Sequence, residues 1–217
     1  KDTSRGLGDV YKRQPLIEGL EFEDDNLSPE IALNYYINDD TSVYVAYKKA
    51  FKSGGIDNSA LPTASINPLS PTFEGFDALI YDSEEADGFE IGLKSNLFDN
   101  NMRINATYYK YEYTDLQVQL FDANIIQFST FNAGAVETEG FEADMLWYTD
   151  IEGLTLRGQF AWTDAVNTGD FFNTSGVNLK GSERSYSPEI AGSLGLSYDS
   201  SLFSGWRYTF STDARYS

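Results

Sequence analysis

The chain has 217 residues, with 15 Lys and Arg against 34 Asp and Glu, a net charge of −19. So large an acid excess excludes a phosphate-binding nucleic-acid protein and a peripheral protein held on anionic lipid by basic residues. With no Cys and no His, it holds no disulfide framework, no thiolate metal site and no Ser-His-Asp triad.

No run of about 18 apolar residues forms a transmembrane helix. No secretory leader is visible at the start. Lys1–Gln14 carry no strand pattern, and the stretch Gly8 to Gln14 resembles a translated sequencing-adapter scar. Residues 1–14 are therefore expected to be non-native or disordered, and residues 15–217 carry the fold.

From there the signal is period-two alternation, which predicts strands with two different environments on their two sides. In chain order the strands are expected near 29–37 and 42–53, 84–98 and 102–115, 134–149 and 154–167, and 187–198 and 206–217. In the second pair, Phe89, Ile91 and Leu93 interleave with Glu90, Gly92 and Lys94. Met102, Ile104, Ala106 and Tyr108 interleave with Arg103, Asn105, Thr107 and Tyr109. Leu154, Leu156, Gly158, Phe160 and Trp162 likewise alternate with polar or small residues.

Within each pair the link is short and rich in Asn, Asp and Gly, the residues of hairpin turns: Asn38-Asp39-Asp40, Asp99-Asn100-Asn101, Asp150 to Gly153, Asp199 to Gly205. Between pairs the links are expected to be long and irregular, at about 54–83, 116–133 and 168–186. Short turns at one end and long loops at the other are the asymmetry of outer-membrane barrels, and the longer strands reach the roughly 9–11 residues such a strand needs. Two repeats reinforce a meander. Ser28-Pro29-Glu30-Ile31-Ala32 returns as Ser187-Pro188-Glu189-Ile190-Ala191, and Gly88-Phe89-Glu90 returns as Gly140-Phe141-Glu142. A soluble β-sandwich, such as a surface adhesin or carbohydrate-binding domain, would also alternate, but with shorter strands and no systematic loop asymmetry.

Three stretches carry a resemblance. They are Asp25 to Tyr35 with Val43-Tyr44-Val45-Ala46-Tyr47 and Ala50-Phe51-Lys52-Ser53-Gly54-Gly55; Glu84 to Ser95; and Asn132 to Glu142. In this order they resemble the barrel of TonB-dependent receptors over residues 25–217. The resemblance implies an all-β, antiparallel transmembrane barrel of about 22 strands with a plug in its lumen, of which this chain holds eight. It implies an outer-membrane importer with short periplasmic turns and long extracellular loops. Such a protein takes up a scarce nutrient, a ferric siderophore or else cobalamin or a glycan, with energy from the TonB complex and without chemical change. No cofactor, metal or catalytic residue is implied. The implied partners are outer-membrane lipid and lipopolysaccharide, the ligand, and TonB acting through a plug. No plug segment or TonB box is recognisable, so the chain is expected to be an internal fragment. A passive porin is the nearest rival.

The candidate residues follow from position. Phe73, Phe76 and Tyr81 in the first long link, Phe121 in the second, and Phe171 and Phe172 in the third could stack on a ligand or pack their own loops. Lys48 and Lys52, with Lys49, Phe51, Gly54 and Gly55, form either a small basic patch at a strand end or a backbone device where glycine lets the loop turn. Glu84, Glu85 and Asp87, with Asp24 and Asp25, are expected to be solvated strand ends and loops. Glu90, Glu142, Asp144, Arg103 and Arg157 fall on the polar face. Tyr35, Tyr108, Trp147, Trp162, Tyr198 and Trp206 fall on or near the apolar register, where amphipathic rings suit a membrane interface.

Overall fold

In the computed structural model, residues 22–57, 79–122, 127–173, 175–185, 187–203 and 205–217 are described. The expected scar at 1–14 and the candidates Phe73 and Phe76 lie outside them.

Alternation builds one antiparallel sheet. Its strands are β1 (Glu30–Tyr36), β2 (Thr41–Lys52), β5 (Glu84–Leu97), β6 (Met102–Asp122), β7 (Gln127–Tyr148), β8 (Leu154–Asn167), β9 (Ile190–Phe203) and β10 (Trp206–Tyr216). They pair in the order β1-β2-β5-β6-β7-β8-β9-β10, so each neighbours the next, and β1 and β10 are the two edges. A second sheet has only β3 (Gly55–Ile56) and β4 (Ile80–Tyr81). All eight long strands run as one meander in a single sheet, where a β-sandwich divides its strands between two packed sheets.

The register keeps one parity on one side across the whole sheet. Val45 sits opposite Leu33 and Ile91, Ile91 opposite Tyr108, Tyr108 opposite Phe141, Phe141 opposite Trp162, and Trp162 opposite Ile190. A slip of one residue anywhere would send an entire strand's apolar set to the wrong side. Buried apolar residues are few, with Ala46, Leu79, Ala133 and Val136 among them. Leu33 and Leu194 stand 72% and 61% exposed.

The structure overturns one expected link. Residues 116–122 and 127–133 are not an irregular loop. β6 and β7 run through them as paired strands, with Val118 opposite Phe131 and Phe121 opposite Phe128. The alternation breaks at one level, where Asp115 and Gly134 both take positive φ (52° and 39°) and drop out of the ladder while the register resumes beyond them. β9 also runs on through the stretch expected as a turn from Asp199, and its hairpin with β10 absorbs a register shift at Trp206/Arg207. The first long link carries the β3–β4 pair at its base.

The turn between β5 and β6 is tight. Phe98, Asp99 and Asn100 all have positive φ, a conformation that costs most for a bulky residue. Phe98 offsets this by stacking on Trp147, with ring centroids 6.3 Å apart.

Candidate functional site

The polar face is concave, a trough lined in part by Asn105, Thr107, Glu142, Asp144, Gln159 and Ser193. Alternation places Glu90, Glu142, Asp144, Arg103 and Arg157 on this face, as expected from their parity.

One construction recurs there. Tyr44 of β2 lies across Gly92 of β5, and its hydroxyl meets the Thr107 hydroxyl of β6 at 3.0 Å. Tyr109 of β6 lies across Gly140 of β7 and reaches the Thr163 hydroxyl of β8 at 3.2 Å. The glycine is the requirement. A Cβ on Gly140 would come within 2.6 Å of both the Tyr109 ring and the Trp162 carbonyl oxygen. A ring laid over a strand glycine supplies the packing the glycine lacks. At Gly88 the same row holds Lys48 on one side and Tyr111 on the other. Both donate to Glu90 Oε1, at 2.9 Å and 2.6 Å. The repeated Gly-Phe-Glu thus puts its glycine under a tyrosine, its Phe on the apolar face and its Glu in the trough.

The basic patch does not assemble. Lys48 turns into the trough toward Glu90, whereas Lys49, one residue on, lies on the opposite face and pairs with Glu85 at 2.7 Å. Adjacent strand residues point to opposite sides, so a run of lysines in a strand is two half-patches. Lys52 ends β2 opposite Glu84.

The apolar face is bounded by rings. Toward the long loops runs a row of Tyr47, Phe89, Tyr108, Phe141 and Trp162, neighbours strand by strand. Phe89 and Tyr108 are 6.1 Å apart between centroids. Directly beyond it the same face turns ionic. Lys110 pairs with Glu137 at 2.8 Å and Glu139 at 3.6 Å, and the Tyr108 hydroxyl donates to Glu139. Toward the short turns lie Tyr35, Trp147 and Tyr198, with Tyr198 against Tyr208, and Trp206 stands exposed at the base of β10. Of the six anchors named from sequence, Tyr108 and Trp162 belong to the first row and the other four to the second. Tyr47, Phe89 and Phe141 were missed, although parity and the charged residue two positions away marked them.

Beyond the rings, the loop end is cross-linked through polar side chains. Gln117 Nε2 donates to the carbonyls of Ser53 (2.9 Å) and Asp82 (3.1 Å), and the Gln117 amide donates to Glu84. Asn132, opposite Gln117, donates to the carbonyls of Asp82 (2.9 Å) and Asp115 (2.7 Å) and accepts from the Asp82 amide (2.7 Å). Asp24 closes the base of the first long link by accepting from Ser83 Oγ (2.6 Å) and the Gly54 amide (3.1 Å). The hydroxyls of Ser83 and Ser53 hold its carboxyl below the usual carboxylate value; burial opposes them, and the Gly54 amide adds a lesser lowering. The third link is pinned by Asn167, whose amide donates to Ser182 O and Oγ.

The four candidate loop aromatics among the described residues do not converge. Tyr81 sits in β4 with its ring over Gly55. Phe121 packs on Phe128 at 5.3 Å near the hairpin tip. The backbone of Phe171 bonds Asn178 and Leu179, and Phe172 bridges to Asn178 with its ring exposed. Gln117, which organises this end with Asn132, carried no signal in the sequence beyond its place in a polar stretch, and Asn132 carried none beyond opening the third stretch of resemblance.

Comparison with known proteins points one way. The family described as "TonB dependent receptor-like, beta-barrel" matches residues 2–217. No curated protein sequence matches the chain. Among solved structures, BauA, the ferric preacinetobactin receptor from Acinetobacter baumannii, aligns with TM-score 0.59 at 19% identity over 87% of this chain and 25% of that one. The ferric yersiniabactin uptake receptor FyuA from Yersinia pestis gives 0.57 at 16% over 80% and 23%. The ferripyoverdine receptor of the Pseudomonas aeruginosa outer membrane gives 0.54 at 16% over 89% and 26%. The chain therefore spans about a quarter of the length of the structures it matches.

Proposed function

The chain belongs to the β-barrel family of TonB-dependent receptors, outer-membrane proteins of Gram-negative bacteria that are receptors and not enzymes, and from that premise we propose that it forms part of the wall of an importer for a ferric chelate. One observation carries the membrane half of this reading. A sheet eight strands wide keeps an apolar face uncovered while its concave face is polar. In water, so large an apolar patch would not stay bare. In a bilayer it meets hydrocarbon, and the concave face lines a wet lumen. The ring rows then lie at the two interfaces, and the ionic belt at Lys110, Glu137 and Glu139 stands at the height of the lipopolysaccharide headgroups.

The short turns are periplasmic, and the cross-linked end with Tyr81, Phe121, Phe171 and Phe172 is extracellular. On this reading those rings, with Phe73 and Phe76, meet the ligand before it passes inward under TonB-driven movement of a plug. What supports iron is that the structurally similar proteins include receptors for ferric yersiniabactin, ferric preacinetobactin and ferripyoverdine. The test is growth of a strain lacking the gene on a panel of ferric chelates, cobalamin and glycans, with uptake of the labelled solute. Loss confined to one or more ferric chelates is the expected result. Loss confined to cobalamin or a glycan would refute the iron assignment, and unchanged uptake without TonB would point to a passive channel.

A further inference from the structure

Beyond the loop-end rings, the apolar side of the sheet carries charge out of balance. One ladder row runs Lys49, Asp87, Glu112 and Glu137 across β2, β5, β6 and β7, each directly opposite the next. One row nearer the rings, Glu139 of β7 stands directly opposite Asp164 of β8. Opposed positions hold their Cβ atoms about 5 Å apart, and like charges placed there repel. The belt's two lysines do not relieve every such pair. Lys49 is held by Glu85, and Lys110 by Glu137 and Glu139. Among the described residues, Asp87 has the Tyr47 hydroxyl at 3.3 Å as its one hydrogen-bond partner, and Glu112 and Asp164 have no hydrogen bond or ion pair. No three carboxylates among the described residues converge where a metal ion could sit. They are strung out strand by strand, on the same side of the sheet as the uncovered apolar band and immediately past its rings.

We propose that this belt is a docking surface for ammonium-bearing lipid headgroups, each ammonium pairing with Asp87, Glu112 or Asp164 while its acyl chains lie along the apolar band. A protein surface that meets anionic lipid does so with Lys and Arg; here the sign is reversed and the lysines are taken. A primary ammonium offers three N–H donors and one positive charge, and its bond to a carboxylate is charge-assisted. Carboxylates spaced one to a strand match single ammonium groups better than they match one chelated ion. An ethanolamine phospholipid and an amine-decorated glycolipid share this chemistry, whereas a headgroup with phosphate and no amine is repelled. The inference rests on the apolar face meeting lipid in the proposed importer.

The test uses the intact receptor in vesicles of equal phosphatidylethanolamine and phosphatidylglycerol, extracted gently in detergent, with the co-purifying lipid counted by mass spectrometry. Enrichment of the ethanolamine lipid by at least three-fold over the bulk ratio is expected. Asp87→Asn with Glu112→Gln should return the ratio to bulk, while Asp39→Asn with Asp150→Asn, which removes two charges at the turn end, should leave the enrichment in place. A second pair of vesicles, holding lipid A with or without a phosphoethanolamine substituent, identifies the source: enrichment there assigns a glycolipid, and enrichment confined to the first pair assigns a phospholipid. Bulk ratios in both, an equal fall in the turn-end variant, or retention of the amine-free phosphate lipid that disappears with a magnesium chelator would each overturn the proposal. Phe160→Cys separates the two readings, since the chain has no cysteine of its own. If that thiol reacts with a charged, water-borne maleimide, the membrane assignment fails. If it stays silent while the retained lipid matches the bulk, only the headgroup surface fails.

Discussion

The two faces of β6 share a backbone and differ at every residue. One side runs Met102, Ile104, Ala106, Tyr108 and then abruptly Lys110, Glu112, Thr114; the other runs Arg103, Asn105, Thr107, Tyr109, Tyr111, Tyr113. Tyrosine occurs on both for unrelated reasons. Tyr108 closes the apolar band with its ring and turns its hydroxyl to Glu139. Tyr109 and Tyr111 fill space left by glycines on the flanking strands and bond across to Thr163 and Glu90. Residue type alone therefore does not give a tyrosine's task in this sheet. Parity gives the face, and the neighbour opposite gives the rest.

The sharpest way to break that contrast is to exchange the faces' chemistry at one height. Phe160→Arg in the full-length protein is expected to cost about 2–4 kcal/mol in a denaturant titration of barrel folding in lipid, if it lies near mid-bilayer. Gln159→Arg, one residue away on the trough side, should cost little. Equal losses would mean the two faces see the same solvent. Next is Gly140→Val, which forces a branched side chain against the Trp162 carbonyl and the Tyr109 ring. A destabilisation of roughly 1–3 kcal/mol is expected from overpacking. Gly158→Val, whose Cβ would meet only Met145 and Leu194 at 3.7 Å and beyond, should be tolerated. Smaller again is Tyr111→Phe, which takes one hydrogen bond from Glu90 and leaves Lys48 as the carboxylate's donor, with an expected loss of about 1 kcal/mol in the same titration.

The last prediction concerns pH at the loop end and is a matter of direction. Asp24 has a carboxyl pKa depressed by the bonds it accepts. Its contribution is present above the unfolded carboxylate value of about 3.9 and is lost as pH falls through the lower folded value. Hydrogen exchange at the Gly54 amide should accelerate relative to neighbouring amides on acidification below that point. In Asp24→Asn the exchange should lose that step. A step of the same size in the variant would remove Asp24 from the clasp.

Period two made the eight strands and their faces legible, because each strand separates two environments and a slip would be costly throughout. It failed where the backbone leaves the β region. Asp115 and Gly134 interrupt the pattern at one level, so the residues beyond them, Gln117 to Phe121 and Phe128 to Asn132, looked like loop although they pair in continuous register. Tertiary hydrogen bonding was invisible for a different reason. Gln117 and Asn132 act on carbonyls of residues 53 and 82, 64 and 50 positions away in the chain, and nothing local to either side chain announces that. The lysine run reads as one patch only while parity is ignored, since Lys48 and Lys49 fall on opposite faces. The trough rows, in which a tyrosine crosses a glycine to a threonine, need the inter-strand register before they can be seen at all.

With the ring rows at the two interfaces, as proposed, they also act as a gauge. On β8 the band runs from Leu154 to Trp162, eight steps of about 3.3 Å along the strand, which a tilt of about 40° shortens to roughly 20 Å of height. Phe98, wedged against Trp147 in its left-handed turn, fixes one limit, and the carboxylates beyond Tyr108 fix the other, so neither edge has slack. A wall built this way suits a thin bilayer. In vesicles of progressively longer acyl chains its insertion should slow and the lipid around it should be drawn thinner, because the sheet has no spare apolar length with which to follow.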